Sequence, residues 1–245
     1  MNHYLPHIIE LRSRIIRCGL LTLFVFLGFF YIDNHLYSFI AKPLLTQLPS
    51  GGSLIATTVT ASFTVPMKLA FVLAVFLTIP YTLFQLWSFI APGLYPNEKQ
   101  KTLYYVLLSL LLFYSGVSFA YCVICPVALE FFAKCAPNGV LVMTDIQAYL
   151  DFVLTLLFAG GIAFQVPIIT FAAIRSGLIS PEKLAHFRPY VIVASFILGM
   201  LLTPPDVVSQ ILLALPMWAL FEVGLFFATK RQESRFVSNG DAPIE

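Results

Sequence analysis

Long apolar runs are the feature that most restricts what this chain can fold into. The run from Pro66 to Trp87 contains a single charged residue, Lys68, and the run from Leu103 to Cys125 contains none. A helix needs roughly 20 apolar residues to cross about 30 Å of hydrocarbon, and both runs are long enough. The sequence therefore predicts an all-α integral membrane protein.

The overall composition also favours a lipid environment. The chain is 59% hydrophobic and 11% charged, whereas an ordinary soluble domain carries roughly 25% charged residues. With a mean hydropathy of +0.89, too few polar side chains remain to cover a globule in water. The net charge of +2 offers no general attraction to nucleic acid, so we expect membrane lipid as a partner and no nucleic acid.

Six transmembrane helices are predicted within a single membrane domain, residues 1–230. They lie at about 16–32, 66–87, 103–125, 149–174, 189–202 and 207–227. The fifth and sixth are short, because Tyr190–Leu202 covers only about 20 Å at about 1.5 Å per residue. Pro204 and Pro205 separate these two spans, since proline interrupts a helix and its preceding residue avoids helical angles. The polar residues 231–245 are predicted to form a disordered cytoplasmic tail.

Basic residues predict the orientation of these spans. With six spans, the side that holds both termini receives eleven of the fourteen Lys and Arg: Arg12, Arg14, Arg17, Lys99, Lys101, Arg175, Lys183, Arg188, Lys230, Arg231 and Arg235. The other side receives Lys42, Lys68 and Lys134. Cytoplasmic segments are enriched in Lys and Arg, so both termini are predicted to be cytoplasmic. The segments after the first and third spans, 33–65 and 126–148, then form caps on the external side.

Two polar segments near the predicted cytoplasmic surface are candidate sites. Glu10 and Arg14 are four residues apart and share a helix face. They favour a surface ion pair worth well under about 1 kcal/mol, and the alternative is a carboxylate offered to a cationic partner. The second segment is "WSFIAPGLYPNEK", Trp87–Lys99. Its aromatic residues are typical of an anchoring belt at the bilayer interface, and together with Glu98 they also suit a ligand that has a charged patch and an apolar segment.

Two further polar residues lie inside the spans. Gln165 is deep in the fourth span beside Pro167, where a polar side chain indicates either a function or an interhelical hydrogen bond. Glu222 lies nearer the cytoplasmic end of the sixth span, and we expect it to snorkel or to pair with Arg188 or Arg175.

The sequence contains no catalytic or cofactor motif. Gly-rich phosphate loops, G-x-S-x-G and H-E-x-x-H are absent, and the four histidines are scattered. Cys122 and Cys125 are three residues apart without nearby histidines, which favours buried hydrophobic side chains over metal ligands. We therefore predict a protein that is not an enzyme and that holds no cofactor and no metal.

Several longer stretches carry a resemblance to a known family. They are "HIIELRSR", "PLLTQLPSGGSLIATTVTASFTVPMKLAF", "FIAPGLYPNEK", "FAYCVICP", "TDIQAYLDFVL" and "RPYVIVASFILGMLLTPPDVVSQILLALPMWALFEVG". They run in order from His7 to about Gly224. With them the sequence closely resembles the TatC family, the multi-span core of the twin-arginine protein translocase.

This resemblance implies a receptor for protein export in the bacterial cytoplasmic (inner) membrane. Such a protein binds twin-arginine signal peptides of folded cargo proteins and supports their export by the proton-motive force. Its implied partners are these signal peptides, the single-span subunits TatA and TatB, and other copies of itself.

The resemblance also implies the residues that bind the signal peptide. Glu10 and Glu98 receive the arginine pair, with Arg12, Phe89 and Leu94 beside them. The chemistry agrees, because a carboxylate accepts the planar guanidinium fork through two hydrogen bonds, and lysine cannot reproduce that geometry.

Further positions follow from the same resemblance. Partner subunits are expected to dock at Met200, Thr203 and Gln210. On the external side, the positions linked to activity are Pro43, Tyr121 and Asp206, although Pro43 and Asp206 equally suit a bend and a turn cap.

One position departs from the family, which commonly has glutamate where this chain has Gln165. An amide cannot ionise, so we expect Gln165 to act by hydrogen bonding and not by titration.

Two other functions are alternatives. A small-solute or proton-coupled transporter would use Gln165 and Glu222, but it requires paired charges at mid-depth, and the sequence supplies one clear polar group there. An intramembrane enzyme requires a nucleophile with a base, or a metal, and the sequence offers neither. An export receptor is the function that the sequence favours.

Overall fold

A computed structural model of the protein describes residues 5–31, 54–94, 99–135, 144–175, 179–202 and 207–239. Nearly all of these residues are helical. The helices are α1 Leu5–Tyr31, α2 Ala61–Leu94, α3 Lys99–Phe119, α4 Cys125–Cys135, α5 Ile146–Ala163, α6 Val166–Arg175, α7 Pro181–His186, α8 Arg188–Leu202 and α9 Val207–Asn239. A π-helical turn, Ala120–Ile124, joins α3 to α4. The predicted helical class is confirmed, with one exception: two-residue strands β1 Leu54–Ile55 and β2 Thr144–Asp145 pair in parallel.

Among the described residues, three helical segments are long and apolar enough to cross a membrane. They are Phe63–Ile90, Leu103–Glu130 and Ile146–Ile174. Arg188–Met200 and Gln210–Phe226 are shorter apolar helices, in agreement with the short fifth and sixth spans that the sequence predicts.

Several helix boundaries differ from the predicted ones. The sixth predicted span continues in α9 to Asn239, so residues 231–239 of the predicted disordered tail are helical. The third predicted span is part of a longer helical run from Lys99 to Cys135. The proline turn at 203–206 lies outside the described residues.

The described residues group into two compact units, where the sequence predicted a single membrane domain. The first contains residues 5–31, 54–92, 99–106, 129–135 and 144–154. The second contains residues 93–94, 107–128, 155–175, 179–202 and 207–239.

The first unit is held together by ring contacts and hydroxyl hydrogen bonds between helices. Trp87 of α2 is 4% exposed and stacks on Tyr105 of α3, with ring centroids 5.2 Å apart. The hydroxyl groups of Thr22 on α1 and Thr78 on α2 lie 3.0 Å apart. Because Thr78 is buried, this hydrogen bond gives its polar group a partner across the helix interface.

The second unit packs its last helix against α6, α7 and α8. Phe221 and Leu225 of α9 form a buried cluster with Ile174, and Leu184 and Val191 pack against it. α7 itself begins as the sequence predicts: Ser180 is the N-cap, accepting from the N–H of Lys183, and Pro181 follows it.

Pro167 explains why α5 and α6 are separate helices. Proline has no N–H to donate to the carbonyl group four residues earlier, which here belongs to Ala163. The chain bridges this point through Phe164 and Gln165, where the N–H of Gln165 donates to the carbonyl oxygen of Ile162 at 2.9 Å. The fourth predicted span is therefore two helices joined at Gln165.

Pro126 coincides with the other irregular point, the π-helical turn. The N–H of Cys125 donates to the carbonyl oxygen of Ala120, five residues earlier. The next residue, Pro126, has no N–H to continue the helical pattern. Turns of this kind occur frequently at functional sites, and Tyr121 lies within this one.

Hydrogen bonds to Asp145 join the segments beside the paired strands of the first unit. We call Thr57, Asp145 and Gln147 the clip. The Thr57 hydroxyl donates to the Asp145 carboxylate, and the backbone N–H of Gln147 donates to Asp145 Oδ1 at 2.7 Å. These hydrogen bonds hold the pKa of Asp145 below its ordinary value. The hydrogen bond from Thr57 has the largest effect.

A glycine contact in the second unit gives the first prediction. A Cβ at Gly160 would lie 2.7 Å from the carbonyl oxygen of Gly116 and 2.7 Å from Ala120 Cβ. We expect Gly160→Ala to lower the free energy of unfolding by about 1–3 kcal/mol, as overpacking does. Thermal unfolding in detergent measures this. Gly28→Ala is the control, because nothing lies within 4 Å of its Cβ, and equal melting temperatures for the two variants would contradict the prediction.

The second prediction concerns the acid stability of the clip. Because the folded-state pKa of Asp145 is lowered, its carboxylate stabilises the fold above the ordinary aspartate range, about pH 4. That contribution is lost as the pH falls through the folded-state pKa. Thr57→Val removes the main cause of the shift, so its melting temperature should fall less on acidification than that of the parent. Identical acid profiles would contradict this prediction.

Candidate functional site

A carboxylate and a guanidinium are paired at the N-terminal end of α1. Arg14 Nη2 lies 2.6 Å from Glu10 Oε1, and Arg14 Nε donates to the same oxygen at 3.2 Å. The Glu10 side chain is 43% exposed and that of Arg14 is 18% exposed. The ion pair predicted from the four-residue spacing is confirmed.

Arg14 also connects α1 to the end of α2. Its Nη1 donates to the carbonyl oxygen of Gln85 at 2.9 Å. Its guanidinium carbon lies 6.0 Å from the ring centroid of Phe89, at the outer limit of a cation–π contact. Gln85 is in turn held by its amide nitrogen, which donates to the Tyr81 hydroxyl at 2.7 Å. Glu10, Gln85 and Phe89 thus form a guanidinium site that Arg14 occupies.

The aromatic segment Trp87–Lys99 is more helical than expected. α2 continues to Leu94, so Trp87 and Phe89 lie on a helix. Trp87 is buried against Tyr105, so it is a core residue and not an interfacial anchor. The side chain of Leu94 and the whole of Glu98 lie outside the described residues, and Arg12 is exposed on α1.

Gln165 forms an interhelical hydrogen bond in the second unit. Its amide nitrogen donates to the carbonyl oxygen of Ser109 on α3 at 2.9 Å. This is the bundle-holding interaction that the sequence offered as one of two interpretations. This contact requires a hydrogen-bond donor on Gln165, because the carbonyl oxygen of Ser109 can only accept.

Glu222 forms a forked ion pair with one of its two predicted partners. Arg188 Nε lies 2.8 Å from Glu222 Oε1, and Arg188 Nη2 donates to Oε2 at 3.0 Å. This geometry joins α8 to α9 through two parallel bonds.

Two of the three predicted partner-docking residues, Met200 and Gln210, lie near the other ends of the same two helices. Met200 is 54% exposed on α8. Gln210 on α9 uses its amide nitrogen to bond the carbonyl oxygen of Phe196 at 2.9 Å, so part of its hydrogen-bonding capacity joins the two helices. Thr203 lies outside the described residues.

Of the three predicted external residues, the structure describes only Tyr121. It is partly exposed on the π-helical turn. Pro43 and Asp206 lie outside the described residues.

Two contacts were not anticipated from the sequence. Lys68 Nζ lies 2.8 and 2.9 Å from the two carboxylate oxygens of Asp151. The carbonyl of Gln85 binds Arg14. Only the isolated position of Gln85 in an apolar run hinted at a role. Within the described part of the chain, no three His, Cys, Asp or Glu side chains are grouped as metal ligands would be.

Known proteins match the chain over nearly its whole length. The model of the family described as Sec-independent protein translocase protein (TatC) matches residues 6–216. The chain belongs to the TatC family.

Individual TatC proteins agree with this assignment. The Sec-independent protein translocase protein TatC of Azotobacter chroococcum mcd 1 is 47% identical over 239 residues, which cover 98% of this chain and 94% of that relative. TatC of Escherichia coli (strain K12) is 46% identical over 224 residues, covering 91% of this chain and 87% of that relative. A crystal structure of the twin arginine translocase receptor TatC matches with a TM-score of 0.82 at 33% identity, covering 91% of this chain and 98% of the other.

Membership of the TatC family confirms the resemblance seen in the sequence. It makes the chain a component of a protein translocase and not an enzyme. Together with the apolar helices, it also makes the chain a multi-pass membrane protein.

The Gln165 hydrogen bond gives the third prediction. Gln165→Leu removes the donor to Ser109 and should lower the free energy of unfolding by about 1 kcal/mol. Gln165→Glu keeps a donor only while its carboxyl group is protonated, so at a pH where that group ionises the loss of unfolding free energy should be larger. That loss should shrink as the pH is lowered, because a protonated carboxyl donates again.

Thermal unfolding in detergent between about pH 5 and 8 checks this prediction. The Leu variant serves as the matched control, since its difference from the parent should not change with pH in this range. A Leu variant that is as stable as the parent would show that the donor is dispensable.

Proposed function

We propose that this chain is the receptor subunit of a twin-arginine translocase. It binds the paired arginines of signal peptides on folded precursor proteins and supports their export by the proton-motive force. The observation that carries this proposal is the guanidinium already bound to Glu10, which donates from two nitrogens to the carboxylate and lies near the Phe89 ring. A site that binds one guanidinium has the chemistry to bind another.

In the proposed complex, Glu10 and Glu98 each receive one arginine of the signal peptide. Arg12, Phe89 and Leu94 complete the binding surface, with the two apolar side chains contacting the apolar part of the signal. Carboxylates accept guanidinium through two parallel hydrogen bonds, and the compact ammonium of lysine lacks this geometry. The resemblance to a family of twin-arginine receptors supports this choice of ligand.

We further propose six transmembrane helices within residues 1–230, with both termini in the cytoplasm. The apolar segments of α2, α3 to α4, α5 to α6, α8 and α9 supply five, and the apolar C-terminal half of α1 supplies the first. The distribution of Lys and Arg supports this orientation. We propose that the protein lies in the bacterial inner membrane, with external caps after the first and third spans and residues 231–245 on the cytoplasmic side.

The proposed partners are single-span subunits, TatA and TatB, and other copies of this chain within the lipid bilayer. Met200, Thr203 and Gln210 form the proposed docking positions, and exposure of Met200 on a short apolar helix supports this role. On the external side, Pro43, Tyr121 and Asp206 are proposed to support activity. Gln165 acts within the bundle as a hydrogen-bond donor.

The fourth prediction tests the receptor role directly. Glu10→Gln and Glu98→Gln keep the side-chain shape and remove the charge, so each should weaken binding of a twin-arginine signal peptide by about tenfold or more. The double variant should bind this peptide no better than a twin-lysine peptide. Binding of both peptides to the full chain in detergent is the measurement.

Glu182→Gln is the matched control for this experiment. It removes an exposed carboxylate at the first turn of α7, on the same predicted side of the membrane, and it should leave binding unchanged. Arginine-dependent binding that survives in the double variant would overturn the proposed function.

A further inference from the structure

The guanidinium site is fully occupied by the chain itself. All three nitrogens of Arg14 make hydrogen bonds: Nε and Nη2 to Glu10, and Nη1 to the carbonyl oxygen of Gln85. With an exposed fraction of 18%, this side chain is held in place, whereas Arg12 and Arg17 on the same helix are exposed.

This occupancy conflicts with two-bond docking of a second guanidinium on Glu10. Such docking requires both carboxylate oxygens, and Arg14 already takes two hydrogen bonds at Oε1. An incoming cation also approaches the positive charge of Arg14, and like charges at this separation repel. The negative charge of Glu10 is therefore already paired with Arg14 before any ligand arrives.

We propose that Arg14 is an internal ligand of the receptor, which an arginine of the signal peptide must displace from Glu10. This inference rests on the proposed function, since it concerns the same carboxylate. Binding is then an exchange of one guanidinium for another. Arg14 keeps its hydrogen bond to the Gln85 carbonyl during the exchange, so the link between α1 and α2 persists.

The exchange makes Arg14 a determinant of affinity. Every ligand of Glu10 must compete with Arg14. This competition raises the ligand's dissociation constant above the value expected for a Glu10 that has no internal partner. A residue that only orients Glu10 would have the opposite effect, because its removal would weaken binding. The direction of the change on removing Arg14 therefore separates the two roles.

The fifth prediction is that Arg14→Gln tightens the binding of a twin-arginine signal peptide. We expect the dissociation constant to fall by about threefold, the effect of losing a partly exposed ion pair that competes with the ligand. The dissociation constant of Arg14→Lys should lie between those of Arg14→Gln and the parent. An ammonium keeps the positive charge but cannot reach Glu10 and Gln85 through a planar fork. The measurement is binding of a labelled peptide to the full chain in detergent.

Salt dependence gives a second readout that a purely structural role would not change. In the parent, exchange leaves the number of ion pairs at Glu10 unchanged. In Arg14→Gln, binding creates a new ion pair, so affinity should fall more steeply with added salt. Arg17→Gln is the matched control, since it removes an exposed positive charge from the same helix and should change neither quantity.

Weaker or unchanged binding in Arg14→Gln, with the parent's salt dependence, would overturn the internal-ligand proposal. A test with double variants distinguishes failure of the internal-ligand proposal from failure of the proposed function. In a Glu10→Gln background, Arg14→Gln should have no further effect on binding, because no carboxylate remains to compete for. If Glu10→Gln alone leaves binding intact, the proposed function itself is wrong at this residue.

Discussion

Helices within hydrocarbon must satisfy their backbone N–H and C=O groups inside the protein, since no water is present to do so. This constraint explains why nearly every described residue is helical and why the irregular points coincide with prolines. At Pro126 the missing donor is accommodated by a π turn, and at Pro167 the helix stops and resumes. At the second point Gln165 is turned toward Ser109 of α3. The break in one helix thus provides the hydrogen bond that joins it to another.

Ion pairs connect particular turns of neighbouring helices. Lys68 with Asp151 and Arg188 with Glu222 each join two helices at 2.8 Å. All four side chains are partly exposed, so each pair contributes little to stability. A slip of one helix by a single turn, about 5.4 Å, would separate the charges, so each pair marks the register of its two helices. Arg14 has the same effect through a neutral acceptor, the carbonyl of Gln85.

The sequence predicted those features that depend on composition or on spacing within one helix. Apolar runs predicted the helices, and the four-residue spacing predicted the Glu10–Arg14 pair. Contacts between helices were harder to predict. A helix that is apolar on all sides has no distinct apolar face to indicate which side meets its neighbour. The Lys68–Asp151 pair and the Arg14–Gln85 bond both depend on that missing information. The helix α2 is longer than the span predicted at about 66–87, since proline is tolerated in helices within apolar surroundings and α2 passes Pro92 to reach Leu94.

The surroundings of Glu10 indicate what kind of recognition is possible there. Three positive charges of α1, Arg12, Arg14 and Arg17, lie on the same short segment as this single acid. The local field therefore does not attract cations, and long-range attraction is in any case screened beyond about 10 Å. A cationic ligand must gain its affinity at contact distance, from hydrogen-bond geometry and from the aromatic ring. Guanidinium offers a planar fork and stacks on rings, whereas ammonium offers only its charge, the one property that this surface already has in excess.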